Sequence, residues 1–526
     1  MCSHQMRFTL ITKPEQSGKT FVMLQEIIKG FKNPPQGMIT VNFILCDNNL
    51  LLTKQTSERV KKDLEGEVEI NGESYLEFSS AKKRTEYQTV SSVVGAITTK
   101  GIQNILCCTN GTRIDNIYKI ISDLNQSPFT KGKIYFKVWL DEADKYIGFI
   151  DNTFIPLIED YSNVELMCIT ATPKRLFDTY ESMNVFPLEN TTCENYHGWG
   201  DNKIRLIDYN SDTCGFIQYV LENQGKDHIQ PGTIWYIPAD REKVSHRDIK
   251  DACLNFGFAV IIVNGEGITL VMPNREMIKV AKDDELNHIL IRIYGEYKLN
   301  QYPLAITGNV CIGRGVSITS EDFRFTHGIL SSCGNPQEAS QNSGRLKGNM
   351  KHWEKYKPPI VFTTEKFDTI AREWETKSRE LGRLSFEQQQ QGKSTVIDKT
   401  QFKTLGESYD YILHDELFPS FEKAKQFLKT KSRCMKSKVT TSKKSVIHKT
   451  EEGYLVTSKL LKNGRKVSDL TSADRITEKM AGKISKQTCI STTEKGSRYL
   501  ILPVYPSMQS EPRDVNFQVR YLSYKE

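Results

Sequence analysis

Residues 6–28 read M-R-F-T-L-I-T-K-P-E-Q-S-G-K-T-F-V-M-L-Q-E-I-I. The run 6–12 is short, apolar and β-branched, which predicts a buried strand, and residues 20–31 carry the apolar spacing of a helix. Between them, Lys13 to Thr20 must turn tightly. A tight loop entering a helix points successive backbone N–H groups and the positive helix end at one spot, where a triphosphate can sit. On this reading Gln16, Ser17 and Gly18 cradle the phosphates, Lys19 reaches the β and γ positions, and the Thr20 hydroxyl ligates Mg²⁺. The full pattern has glycine where this chain has Lys13, so the loop must bend without it. Taken alone, S-G-K-T before a helix is also an ordinary helix start.

The alternation continues downstream. Residues 41–46, 104–109, 134–140 and 164–170 read as further buried strands, with helical stretches such as 115–124 between them. Strands alternating with helices build a doubly wound α/β sheet whose site lies at the carboxyl ends of the strands. From about residue 201 the pattern restarts. Strands are expected at 232–237, 259–264, 304–307, 327–330 and 359–363, and helices at 241–256, 283–299 and 336–350. Two tandem doubly wound parallel-sheet domains follow, over 1–200 and 201–380. Around F-E-Q-Q-Q-Q-G-K-S (386–394) periodicity gives way to polarity, which predicts a linker over 381–400. A small basic C-terminal α+β domain is expected over 401–526.

Composition agrees with a multidomain globular protein. The chain has 526 residues, 38% apolar and 26% charged, with 24 Phe and 22 Tyr. That exceeds one compact core and rules out wholesale disorder or a fibrous repeat. No apolar run approaches the roughly 18 to 20 residues that span a bilayer, and the N-terminus lacks a signal-peptide layout. No membrane partner is expected. The 12 cysteines are scattered without a C-x-x-C pair, which argues against a zinc ribbon or disulfide framework and for a reducing compartment, cytoplasmic or nuclear.

Charge is unevenly placed. Residues 401–526 hold 24 Lys+Arg against 14 Asp+Glu, a net of +10 beside +7 for the whole chain. Concentrated positive charge attracts polyanions. From 423 to 449 there are ten Lys/Arg, among them Lys436, Lys438, Lys443 and Lys444, and no acidic residue. Lysines holding phosphates, with Tyr454, Tyr499 and Tyr505 stacking on bases, would form an accessory nucleic-acid clamp. The plain alternative is a solvated helix face or a flexible linker.

The second chemical signal is D-E-A-D, Asp141 to Asp144, directly after the apolar run I-Y-F-K-V-W-L. It lies where a nucleotide site would open. Asp141 suits the Mg²⁺ shell, and Glu142 suits the base that orients and deprotonates an attacking water. Such a quartet can also cap a solvated helix. A phosphate loop 122 residues upstream favours the catalytic reading.

With these two elements the chain resembles the superfamily 2 helicases and translocases, whose two RecA-like domains clamp ATP between them. The resemblance covers about residues 6–370. S-G-K-T is similar to motif I, N-N-L-L-L-T-K-Q-T (48–56) to motif Ia, and C-T-N-G-T-R (108–113) to motif Ib. D-E-A-D is motif II, and T-A-T (170–172) stands in the place of motif III. T-G-N-V-C-I-G-R-G-V-S-I (307–318) resembles motif V, and Q-N-S-G-R (341–345) motif VI. The resemblance implies nucleic-acid contacts at Thr109, Arg113 and Thr307, a nucleotide contact at Gly315, and catalytic roles for Gln341 and Arg345. Arg345 would act as an arginine finger across the cleft. Its helix has a sequence-level start: Asn335 as N-cap, Pro336 at the first position and Glu338 in a capping box.

Departures from the family pattern define open points. Gly348 stands where a second motif VI arginine is usual, so Arg345 acts alone or Lys347 or Arg314 substitutes. Gln16 replaces a frequent glycine. The upstream glutamine motif of DEAD-box RNA helicases is missing, so membership of that subgroup is not expected; the short N-terminus and terse motif VI look like a virus- or phage-encoded member. The implied function is an ATP- and Mg²⁺-dependent helicase or translocase on DNA or RNA, acting as a monomer, with one hinge near 196–204. Two alternatives stand beside it: a non-catalytic nucleic-acid-binding descendant of such a motor, and an ATPase that translocates without unwinding.

Overall fold

A computed structural model describes residues 7–47, 50–65, 75–78, 89–240, 242–281, 284–308, 318–331, 333, 336–406, 409–431, 447–450, 453–456, 466–469 and 499–524. The β-branched runs of the first lobe form strands β1 (Phe8–Thr12), β2 (Ile39–Cys46), β3 (Tyr75–Phe78), β4 (Asn104–Cys108), β5 (Ile134–Asp141), β6 (Val164–Thr170) and β7 (Ser182–Val185). Together with Val396–Asp398 they make one sheet, in the order Val396–Asp398, β7, β1, β6, β5, β2, β4, β3. The pairings from β7 through to β3 are parallel. Leu10, Ile11, Val41, Phe43, Ile105 and Leu140 are fully buried, as befits strands covered on both faces. Because β6 lies between β1 and β5, the loop after β1 and the carboxylates after β5 open on the same sheet edge, with Thr170 between them.

A two-residue strand, β8 (Tyr196–His197), leads into the second lobe. There follow β9 (Lys203–Leu206), β10 (Ile234–Tyr236), β11 (Ala259–Asn264), β12 (Gly267–Val271), β13 (Met277–Val280), β14 (Leu304–Gly308), β15 (His327–Leu330), β16 (Gly348–Asn349) and β17 (Ile360–Thr363). The second sheet runs β13, β12, β11, β14, β10, β15, β17, β9. It is parallel from β11 to β9, and β12 and β13 extend it as antiparallel hairpins. Two doubly wound, RecA-like α/β lobes therefore stand in tandem.

Three expectations are corrected. The antiparallel extension was not foreseen, although N-G-E-G at 264–267 and P-N-R at 273–275 are turn chemistry flanking alternating runs. The helix expected over 336–350 is Pro336–Ser343 only; a 3-10 turn, Gly344–Leu346, and β16 follow it. Residues 381–390, read as the start of a linker, continue the 26-residue helix Glu365–Gln390. The polar look of that stretch comes from exposed charges such as the Arg383–Glu387 pair four residues apart, while farther back Glu373–Lys377 and Glu375–Arg379 each join an exposed to a buried side chain. Each exposed pair is worth about 0.3–0.5 kcal/mol. Phe367 and Ala371 of this helix lie in the second lobe's core. Farther along, Ser378 Oγ donates to the Ala171 carbonyl at 2.5 Å and Ser385 Oγ to the Val185 carbonyl at 2.5 Å, both in the first lobe. The segment read as the single hinge is thus one of two connections. It is also firmly held, since Trp199 is fully buried with its N–H bonded to Glu375 at 2.8 Å and its ring nitrogen to Asp368 at 2.7 Å.

The chain divides into two compact units, Met1–Ile397 and Asp398–Glu526. In the second, strands Tyr409–Leu413, Asn516–Tyr524, Tyr499–Tyr505, Gly453–Val456 and Ile447–Thr450 form an antiparallel sheet in that order. Helix Phe421–Lys431 packs Ala424 and Leu428 on Ile501, Phe517, Val519 and Tyr521. This is the expected α+β class. Tyr505, expected to stack on bases, is fully buried and belongs to the core. Lys436, Lys438, Lys443 and Lys444 lie outside the described residues, as do the side chains of Tyr454 and Tyr499. Among the described residues no helix is long and apolar enough to cross a membrane.

Candidate nucleotide site

The loop from Lys13 to Gly18 bends without a glycine at 13. Its two left-handed residues are Gln16, at φ 58°, and Gly18, at φ 90°. Gln16 and Glu142 are two of the four non-glycine residues with positive φ among the described residues, and such strain concentrates at functional sites. The Ser17 hydroxyl closes the turn by donating to the Pro14 carbonyl at 2.7 Å. Gly18 then caps helix Lys19–Lys32, which has no side-chain cap and no acidic residue in its first turn. The positive helix end therefore faces the loop uncompensated from its own helix.

The carboxylates arrive from β5. The Glu142 N–H donates to Asp141 Oδ1 at 3.0 Å. Burial, reinforced by the Glu142 charge, pushes the Asp141 carboxyl up to about 7 against the pull of Lys19. Thr20 and Asp141 line one small cavity of about 10 Å³ with Met23, Thr56 and Ile169. A hydroxyl and a carboxylate are hard oxygen donors of the kind Mg²⁺ takes one or two at a time, completing its shell with water and phosphate oxygens. The donor set fits. Among the described residues no group of three or more His, Cys, Asp or Glu is placed to hold a metal.

Asp144, which the sequence reading left without a role, is completely buried. It accepts from Thr170 Oγ1 at 2.7 Å and Thr172 Oγ1 at 3.1 Å, and from the amide of Gln337 in the second lobe. One carboxylate thus ties D-E-A-D, T-A-T and helix Pro336–Ser343 together. Gln341, one turn after Gln337, is half-buried on the same helix.

Arg345 comes from the second lobe. It is buried, and the carboxylates of Glu142 and Glu15 act on it from the first lobe, although burial dominates and lowers its pKa. The glycine before it has a steric cause: a Cβ on Gly344 would stand 2.8 Å from the Cβ of Glu15. Gly348, in the place of the second arginine, has φ 144°, and a Cβ there would approach Gln16 Cβ to 3.4 Å. That backbone disfavours any side chain. Lys347 is the neighbouring cation, and it is fully buried. Its Nζ lies 2.7 Å from Glu15 and 3.5 Å from Glu375. Burial lowers its pKa, but the two carboxylates outweigh this and raise it. Burial likewise pushes the Glu15 carboxyl up, and Lys347, Ser340 and Lys19 more than reverse that, holding it below the ordinary carboxylate range.

The expected nucleic-acid contacts fare differently. Thr109 is buried, with Oγ1 bonded to the Cys46 carbonyl at 2.7 Å. Arg113 is buried with its guanidinium 4.1 Å from the Phe78 ring centroid. Thr307 is fully buried in β14. None of the three presents its side chain to a polymer, so those assignments are withdrawn. Gly315, Arg314 and Asn335 lie outside the described residues. His197 is buried and bonds Tyr356 and Asn202, and Trp139 Nε1 donates to Asn42 Oδ1 at 3.0 Å.

No family model matches the chain, and no curated protein matches it in sequence. Among solved structures, the chain is similar to S. cerevisiae Dbp5 bound to RNA and ADP BeF3, at 14% identity over 71% of this chain and 83% of that one, with a TM-score of 0.40. It is similar to the DUF1998 helicase MrfA bound to DNA, at 12% identity over 70% and 47% of the two chains, with a TM-score of 0.41. The Mycobacterium smegmatis helicase Lhr bound to ssDNA and AMP-PNP follows at 11% identity over 73% and 46%, with a TM-score of 0.34. MrfA and Lhr are helicases. At these identities and TM-scores the likeness carries no argument about this chain's activity, which has to be read from its own residues.

Proposed function

We propose that this chain is a nucleic-acid-dependent ATPase of the superfamily 2 helicase and translocase kind, hydrolysing ATP between its two lobes to move along or unwind DNA or RNA. The observation that carries the reading is convergence. The Lys19–Thr20 loop, the Asp141–Glu142 pair and Arg345 come from three distant stretches and two lobes to one sheet edge.

On this reading Lys19 and the open helix end hold the phosphates, and Thr20 and Asp141 would hold Mg²⁺. Bound there, the ion would neutralise charge on the bridging phosphate oxygens. Glu142, fixed by its left-handed backbone and its N–H bond to Asp141, orients water and takes its proton. Arg345 stabilises the charge that develops on the transferred phosphoryl group. Loss of that phosphate removes a tie between the lobes, and the Asp144–Gln337 bond is the second-lobe contact that registers it.

The test is phosphate release by the whole chain with ATP alone and with single-stranded DNA, duplex DNA or RNA. Stimulation by one polymer, lost in Lys19→Ala and Arg345→Gln, is expected. Absence of nucleotide binding in the wild type sinks the reading. Strand displacement on a tailed duplex separates unwinding from translocation alone.

A further inference from the structure

A carboxylate is an odd thing to find inside a loop built for phosphates. Glu15 occupies the third position of K-P-E-Q-S-G-K-T and is 8% exposed. Its Oε2 accepts from Lys347 Nζ at 2.7 Å, and its Oε1 accepts from the Ser340 hydroxyl. The charges of Lys19 and Arg345 act on it as well. The Tyr196 hydroxyl anchors its backbone carbonyl at 3.1 Å. One anion thus sits among three cations, one from the phosphate loop and two from the second lobe. The residues that would grip a terminal phosphate are gathered, and a side chain of the loop itself lies among them.

We infer that Glu15 is a built-in counter-anion that fills the seat of the nucleotide's terminal phosphate, and that an arriving triphosphate displaces it and takes over Lys347. Lys347 is then the second cation of the site, reached from the residue before Gly348, whose backbone excludes an arginine. This inference rests on the nucleotide-site reading above and deepens it. A terminal phosphate carries nearly two negative charges near neutral pH against one for a carboxylate, and several short charge-assisted bonds favour the group with more oxygens. A diphosphate lacks the group that competes with Glu15. The exchange costs the triphosphate part of its binding energy and leaves the diphosphate untouched, so Glu15 holds down the preference for ATP over ADP that Lys347 and Arg345 create.

The test uses the full chain with Mg²⁺, a fluorescent non-hydrolysable ATP analogue and the matching ADP analogue, read by anisotropy. In Glu15→Gln the competitor loses its charge. Affinity for the triphosphate should rise on the order of tenfold, while diphosphate affinity changes less than about twofold, a coupling of ordinary size. Glu15→Gln/Lys347→Gln removes both charges of the pair and leaves Glu375 with Arg379 and the Trp199 N–H as partners, so it guards against misfolding of the single variant. It should lose the wild-type preference for the triphosphate, and Glu15→Gln/Lys347→Arg should restore most of it. A purely structural ion pair predicts something else: lower melting temperatures with the ATP-to-ADP preference unchanged. That result, or equal shifts for both nucleotides, overturns the inference while leaving the nucleotide site intact. A wild type that binds neither analogue sinks the nucleotide reading itself, and this inference with it.

Discussion

Lys347 has no exposed side-chain surface and two carboxylates within reach. Removing one partner of a buried pair leaves the other charged in a poor solvent, which costs about 3–5 kcal/mol. Lys347→Ala should lose that much in urea denaturation, whereas Glu15→Gln/Lys347→Gln should lose far less. The pH dependence follows from the two shifts. Glu15 is lowered, so its share of the stability is complete above the ordinary glutamate range and lost as pH falls through its folded value. Lys347 is raised, so its share is complete below the ordinary lysine range and lost as pH rises through its folded value. The stability gap between wild type and the neutral double variant should be flat from about pH 5 to pH 10 and close outside it, as thermal melts across pH will register. Glu142→Gln should keep nucleotide binding and lose about 10²- to 10⁴-fold in turnover, measured by steady-state phosphate release. Lys19, Asp141, Glu142 and Arg345 were legible from the sequence because each sits at a fixed offset in a motif. Glu15 was not, since it occupies an unconstrained motif position, and its charge was the signal passed over. Thr109, Arg113 and Thr307 misled for another reason. A polar residue near a strand end looks alike in sequence whether its hydroxyl or guanidinium meets solvent, a carbonyl or an aromatic face.

Among the elements, the strand that separates loop from carboxylates does more than fill the sheet. β6 delivers Thr170, and two residues later Thr172, to Asp144, which also accepts from Gln337 of the opposite lobe. A hydrogen bond to a buried charge is worth about 1.5–3 kcal/mol. Thr170→Val should therefore lower unfolding free energy by that amount in a denaturant titration, and Gln337→Ala should bind nucleotide normally while losing most stimulation by nucleic acid. The parallel strands were legible because two buried faces write an unbroken apolar run. The β12–β13 extension was not, because its alternation is diluted by exposed Met277 and Lys279 at the sheet edge. Helix Glu365–Gln390 was mistaken at its end because charge-paired solvent faces and true linkers share a composition.

For the molecule as a whole, the uneven charge makes a measurable claim. If the segment beyond residue 400 holds phosphates with its excess of +10, removing 401–526 should weaken nucleic-acid binding and flatten the slope of log affinity against log salt. Each lost phosphate contact lowers that slope by about 0.9 for duplex DNA. Filter binding at several salt concentrations reads this directly; an unchanged slope would assign the basic run to solvation.

The 26-residue helix, about 39 Å long at 1.5 Å per residue, behaves as a strut bolted to both halves of the machine. Its serine pegs, Ser378 and Ser385, are seated on carbonyls of the first half, while Phe367 and Ala371 are sunk in the second. If the two lobes move against each other as proposed above, the movement has to break or re-form these two hydrogen bonds or bend the helix.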